Sequence, residues 1–187
     1  MPAQRNGRQD KVILAGLNSD GLTDYILADD DGSVRARINN GIPLPFTELG
    51  KINPSWQSVT GSMVRMAGVD SDGRADMIAL YSDGAAKVWK NMDDGRTFKA
   101  LDANWATWLE VREKIRIEDA DGDGYADYVI LYSGDAVKWA RNTHNNGKDS
   151  SKGNWEEPVT IAPGLSGVPP DTTRLHDPNG DSKVEKG

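Results

Sequence analysis

The stretch Asp119-Ala120-Asp121-Gly122-Asp123-Gly124-Tyr125-Ala126-Asp127 (DADGDGYAD) decides how this 187-residue chain is read. Carboxylates fall at its first, third, fifth and ninth positions: Asp119, Asp121, Asp123 and Asp127. Gly122 and Gly124 let the backbone turn tightly enough to aim them at one point. Four carboxylates this close repel one another unless a cation sits among them, and a hard cation such as Ca²⁺ takes about six to eight oxygen ligands. The stretch therefore reads as a calcium loop.

An EF-hand loop needs a bidentate Glu at its twelfth position. Counted from Asp119, that position is Ile130, inside the apolar run Tyr128-Val129-Ile130-Leu131-Tyr132. Such a run predicts a strand buried on both faces rather than a second helix. The loop is thus expected to join two strands, and a dockerin-type helical loop fails for the same reason.

Three weaker copies of the loop recur: GLNSDGLTD (Gly16–Asp24), GVDSDGRAD (Gly68–Asp76) and DPNGDSKVE (Asp177–Glu185). First positions 16, 68, 119 and 177 are 52, 51 and 58 residues apart, a period in the range of propeller blades. The likeness extends outside the loops. Arg65, Arg116 and Arg174 stand three residues before the later copies, where the first has Ile13. After the loops come the strand starts YILA, MIAL and YVIL, then the turns DDDG, YSDG and YSGD. An Asn follows fifteen residues beyond the ninth loop position, as Asn39, Asn91 and Asn142. Phe46, Phe98 and Trp155 each open a further short strand 21 or 22 residues before the next loop.

Each unit is therefore expected to hold four short strands, with the loop between two of them. Trp89 and Trp139 differ by one residue in their distance from the loop, for which a shifted turn or a bulge is one explanation. The polar insertion Thr143–Asn154 reads as a solvent loop. Only Ala103–Lys114 (ANWATWLEVREK) has helical character.

Twenty Gly and nine Pro suit a turn-rich β protein. The 22 basic and 29 acidic residues give a net charge of −7, which disfavours nucleic acid as a partner. No apolar run approaches the roughly 20 residues of a membrane span. The opening MPAQRNGRQDK has no apolar signal-peptide core, and residues 1–10 are expected to be disordered. Cysteine is absent, so thiols say nothing about the redox compartment.

Loop, flanking Arg and following strand together resemble the FG-GAP/VCBS repeat family, the integrin-α-type calcium-binding β-propeller repeats. The resemblance runs from about Lys11 onward. It implies an all-β domain of four-stranded blades with three complete calcium loops and a truncated fourth. The implied ligands are Asp119, Asp121, Asp123 and Asp127 in the third loop. The second offers Asp70, Asp72 and Asp76, and the first Asn18, Asp20 and Asp24, Gly standing at position one in both. The last offers Asp177, Asn179, Asp181 and Glu185, with Ser182 in place of the turn glycine. In this family position seven contributes a backbone carbonyl, here that of Leu22, Arg74, Tyr125 and Lys183. Affinity should follow ligand charge, so the third loop is expected to be strongest and the first weakest of the three complete copies.

The resemblance further implies a secreted, lectin-like or adhesive module with structural Ca²⁺, whose partner is carbohydrate or an extracellular protein. The alternative is an accessory repeat region of a secreted esterase or glycosidase whose catalytic domain lies outside this chain. No enzyme is expected in the chain itself. His144 and His176 form no recognisable triad, GxSxG is missing, and Ser133-Gly134-Asp135 reads as a turn. Trp105, Trp108 and Trp155 are candidates to stack on sugar rings, against the competing reading that they pack between blades. Propellers close with typically four to eight blades, and the fourth unit is expected to stop where its next strand should begin. A piece of a longer propeller, two copies pairing to complete a ring, and a small capped arc would each satisfy that count.

Overall fold

Strand order follows chain order along each four-stranded meander. In a computed structural model, residues 11–43, 45–101, 105–107, 110–132, 136–143, 155–163, 175–176 and 185–186 are described, the last four by backbone only. Residues 1–10, Trp108 and most of the fourth loop lie outside them.

The first sheet is the antiparallel meander β1 (Val12–Ala15), β2 (Asp24–Ala28), β3 (Val34–Ile38) and β4 (Thr47–Lys51). The second repeats it with β5 (Val64–Ala67), β6 (Asp76–Leu80), β7 (Ala85–Asn91) and β8 (Phe98–Ala100); β9 (Ala106–Thr107) also pairs with β7. The third holds β10 (Ile115–Glu118), β11 (Asp127–Leu131), β12 (Val137–Ala140) and β13 (Val159–Ala162). A two-stranded pair, β14 (Leu175–His176) and β15 (Glu185–Lys186), begins a fourth. The expected stop before the fourth unit's next strand is therefore corrected: Glu185–Lys186 forms the opening of that strand. The chain is all-β, built from repeated four-stranded antiparallel units, and each loop joins the first two strands of its unit.

Register repeats with the sequence. The residue before each loop pairs with its ninth position: Ala15 with Asp24, Ala67 with Asp76, Glu118 with Asp127, and His176 with Glu185. Between the second and third strands, Met77 opposes Trp89 and Tyr128 opposes Ala140. This is one register in both sheets, so no bulge separates Trp89 from Trp139. The two indoles stand on opposite faces, because neighbouring strand residues do.

The sheets stack through apolar faces. Leu17, Ile26, Val34 and Ala36 of the first unit share one core with Val64, Met77 and Ala79 of the second. Ile78, Leu80 and Val88 share another with Trp105, Ile115, Tyr128 and Ile130 of the third. Accordingly every residue of β6 and β11 is buried, as a strand covered on both faces requires, while β2 alternates buried and half-buried. The first strands β1, β5 and β10 lie side by side. From within β5 and β10, Arg65 and Arg116 fold back onto the short 3₁₀ turns that precede them, Gly61–Met63 and Arg112–Lys114. Arg65 Nη1 donates to the Ser62 and Val64 carbonyls, and Arg116 Nη1 to those of Glu113 and Ile115. The repeated Arg is thus a turn clamp. Ala103–Lys114 forms no α-helix among its described residues: β9 and a 3₁₀ turn occupy it, with Trp105 buried beside Ala106.

Candidate metal centre

Each loop is closed by its position-nine aspartate. Asp24, Asp76 and Asp127 are fully buried, and each accepts two backbone N–H groups. One comes from position two, at 2.7 Å from Leu17, 2.8 Å from Val69 and 3.0 Å from Ala120. The other comes from the Asn marker, at 2.8 Å from Asn39, 2.8 Å from Asn91 and 2.7 Å from Asn142. The constant spacing of Asp and Asn in the sequence is this clamp, which ties the loop to the third strand. Burial pushes the Asp76 carboxyl up to about 7 and that of Asp127 up to about 6, against the opposing pull of those N–H donors.

In the third loop, Asp119, Asp121 and Asp127 each place a carboxylate oxygen within 4.8 Å of the others. Asp119 is oriented by the N–H groups of Gly122 at 2.8 Å and Gly124 at 2.9 Å; Asp123 accepts from Tyr125 at 2.9 Å. Arg141 bridges the flank, with Nη2 3.0 Å from Asp123 and Nε on Asp121.

The second and first loops leave a different mark. At position three, Asp70 Oδ1 and Asn18 Oδ1 are buried without a hydrogen-bond partner. A buried acceptor left bare costs about 1–3 kcal/mol, and it lies open to a metal ion in the first loop and beside the Lys90 ammonium in the second. Beside them, a Cβ on Gly16 or Gly68 would stand 3.3 Å from the Leu22 carbonyl oxygen or 3.4 Å from that of Arg74. Position-one glycine and position-seven carbonyl therefore close on the same space. These are all-oxygen donor sets, which suit a hard divalent cation rather than a thiophilic metal.

Basic side chains crowd the second loop. Lys90 Nζ sits on Asp70 Oδ2, and Arg74 grips Asp72 through Nε at 3.1 Å and Nη2 at 2.7 Å. Burial alone would raise Asp72, but Arg74 holds it below the usual carboxylate range. In the first loop Asn18 Nδ2 donates to Asp20 at 2.9 Å.

Successive loops also touch. Ala75 N–H donates to the Gly16 carbonyl and Ala126 N–H to that of Gly68, both at 2.7 Å. Asn91 Nδ2 reaches the Leu17 carbonyl at 2.8 Å, and Ser19 Oγ the Asp72 carbonyl at 3.4 Å. Position four of one loop nests against position six of the next. A Cβ on Gly73 would lie 3.3 Å from Ser19 Oγ, and one on Gly124 only 2.3 Å from Ser71 Oγ. Both glycines have positive φ, +80° and +87°. These positions need Gly for conformation and for contact.

Among the described residues, only the third loop brings three carboxylates together. Tyr125 holds position seven there, while Asp177, Asn179 and Asp181 lie outside the description and Glu185 is placed by backbone alone in β15. Lys90 and Arg141 escaped the motif reading; each immediately precedes an Asn marker, which is the signal that locates them. Trp105 is buried and meets Trp155 edge-on at 4.9 Å; Trp155 Nε1 donates to the Trp105 carbonyl at 3.1 Å. These two indoles pack the core, as the packing reading of them expects, and are not sugar platforms. The aromatic cleft lies elsewhere. An open cleft of about 440 Å³ is lined by Asn53, Ser55, Trp89, Arg96, Thr97 and Phe98, among others.

Among solved structures, a chain of the Photorhabdus luminescens Tc holotoxin pore matches with a TM-score of 0.57 and 18% sequence identity. The likeness is one of fold. It covers 98% of this chain, which spans 8% of the length of that one. No protein-family profile and no curated protein sequence matches the chain.

Proposed function

We propose that this chain is a non-catalytic, calcium-stabilised β-propeller-type repeat module of the FG-GAP/VCBS kind, acting in carbohydrate or protein binding outside the cell. The observation that carries the calcium part is the convergence of Asp119, Asp121 and Asp127 in a loop whose hairpin register recurs in every unit. An ion there neutralises crowded acids and pins a strand connection, so binding and local order are linked. Its role in this reading is architectural, since the position-nine carboxylate is already engaged by two backbone donors that tie the loop to the strands.

The carbohydrate reading draws support from the cleft between the first and second sheets. Trp89 and Phe98, half-buried against the core, contribute apolar lining, and Asn53, Ser55, Thr97 and Arg96 contribute polar groups. Isothermal titration with calcium, wild type against Asp119→Asn, tests the ion; the variant is expected to lose the strongest site. A glycan array with wild type and Arg96→Ala tests the ligand, and absence of binding with and without calcium removes the carbohydrate reading.

The alternative is an accessory repeat region of a secreted hydrolase, with this chain lying beside a catalytic domain. A unit of this fold inside a chain many times longer, as in the toxin-pore structure, is compatible with it. Sequencing the whole transcript decides, since an esterase or glycosidase domain must then adjoin these repeats.

A further inference from the structure

We propose that Lys90 is the resident cation of the second loop, so that a tethered ammonium holds this loop where a divalent ion holds the third. The inference rests on the reading of the third loop as a calcium site.

The residue just before the Asn marker varies in step with position three of the loop. Ile38 accompanies Asn18, Lys90 accompanies Asp70, and Arg141 accompanies Asp121. A neutral ligand goes with an apolar strand residue, and a carboxylate with a base. The shared strand register makes these three residues equivalent. The pairings are direct: Lys90 Nζ is on Asp70 Oδ2, and Arg141 Nε is on Asp121 Oδ2.

The two charged loops differ in what remains for a metal. The second has Asp70, Asp72 and Asp76, with Gly68 where a fourth ligand would be, and both Lys90 and Arg74 are drawn onto it. Arg74 is shared with Asp94, 3.8 Å from its Nη1, so four carboxylates facing two cations leave two net negative charges. In the third loop four carboxylates face only Arg141, which leaves three. Affinity of oxygen sites for Ca²⁺ is tuned by ligand charge count and rigidity. A divalent ion entering the second loop would also meet an ammonium already seated on Asp70. The convergence of three carboxylates seen in the third loop is accordingly absent from the second among the described residues. Lys90 thus lowers the second loop from the second place that ligand counting alone assigns it.

Terbium luminescence and calcium calorimetry on the full chain, counting ions in wild type, Asp119→Asn, Asp70→Asn, Lys90→Gln and the double variant D70N/K90Q, test this. D119N is expected to remove one ion, D70N none. K90Q is expected to add one, which D70N/K90Q loses again. A wild-type count that falls by one in D70N, or a folded K90Q that takes up no further ion, overturns the proposal. Should K90Q fail to fold, D70N decides alone. If D119N removes no ion, the calcium reading of the third loop fails instead.

Discussion

The nesting of successive loops yields a graded prediction from three glycines of nearly equal backbone conformation. Gly21, Gly73 and Gly124 all hold position six, with φ of +79°, +80° and +87°. Alanine in the left-handed region costs about 1 kcal/mol at each. Surroundings separate them: a Cβ on Gly21 meets nothing within 4 Å, one on Gly73 lies 3.3 Å from Ser19 Oγ, and one on Gly124 lies 2.3 Å from Ser71 Oγ and 3.1 Å from Ser71 Cβ. Rotating the Ser71 hydroxyl away leaves the Cβ contact, so overpacking adds about 1–2 kcal/mol at Gly124. The expected losses are about 1 kcal/mol for G21A, slightly more for G73A, and about 2–3 kcal/mol for G124A. Urea unfolding of each variant in EDTA reads them directly. The double variant S71G/G124A should recover the contact share and leave the conformational share. Because Ser71 itself has φ +59°, S71G must be measured alone to complete the cycle. Equal losses at Gly21 and Gly124, or no recovery on removing the Ser71 side chain, would refute the nesting of one loop on the next.

Three further outcomes follow from the clamps and cores. Burial places Asp76 and Asp127 at about 7 and 6 in the folded chain, against about 3.9 unfolded. The metal-free fold therefore binds more protons between those values, and this share of stability is present below pH 4 and lost as pH rises to 7. For Asp76 it amounts to at most about 4 kcal/mol. In EDTA the urea midpoint of wild type should fall from pH 4.5 to 7.5 more steeply than that of Asp76→Asn; parallel profiles would contradict it. Tyr128→Phe deletes a buried hydroxyl that donates at 2.7 Å to the Gly84 carbonyl across the second and third sheets. It should cost about 1–2 kcal/mol in thermal unfolding. Asn91→Ala strips a fully buried amide that donates to Leu17 and Ala75 and accepts from Gly95. It should cost about 3 kcal/mol, while Asn39→Ala, at a half-buried amide, should cost about 1 kcal/mol.

The parts legible in the sequence are those with a local period. The runs beginning at Tyr25, Met77 and Tyr128 became β2, β6 and β11, each one residue longer at its start because the position-nine Asp joins the ladder. The loops fell between strands for the same reason: each ninth-position Asp is buried and opens the strand that follows. What the pattern hid depends on register across strands. Ile38, Lys90 and Arg141 look like ordinary strand-end variation until the ladder sets Lys90 and Arg141 against loop carboxylates. Trp89 and Trp139 suggested a bulge, yet the ladder is unshifted and the faces differ. Packing is one of two readings that the sequence allows for Trp105 and Trp155; which partners they pack on, each other and for Trp155 also Tyr128, is set by long-range placement that no local pattern carries. The helical look of Ala103–Lys114 gave way to burial of Trp105 and Ala106 and pairing of β9 with β7.

Calcium-dependent unfolding of the intact chain tests the central claim most directly. A ligand at one hundred times its dissociation constant stabilises by about 2.7 kcal/mol if it binds only the folded state. For a chain of this size that raises the midpoint by roughly 5–10 °C. Saturating calcium should produce such a rise over EDTA in wild type, and Asp119→Asn should abolish most of it. Coincident melts in calcium and EDTA would contradict the account.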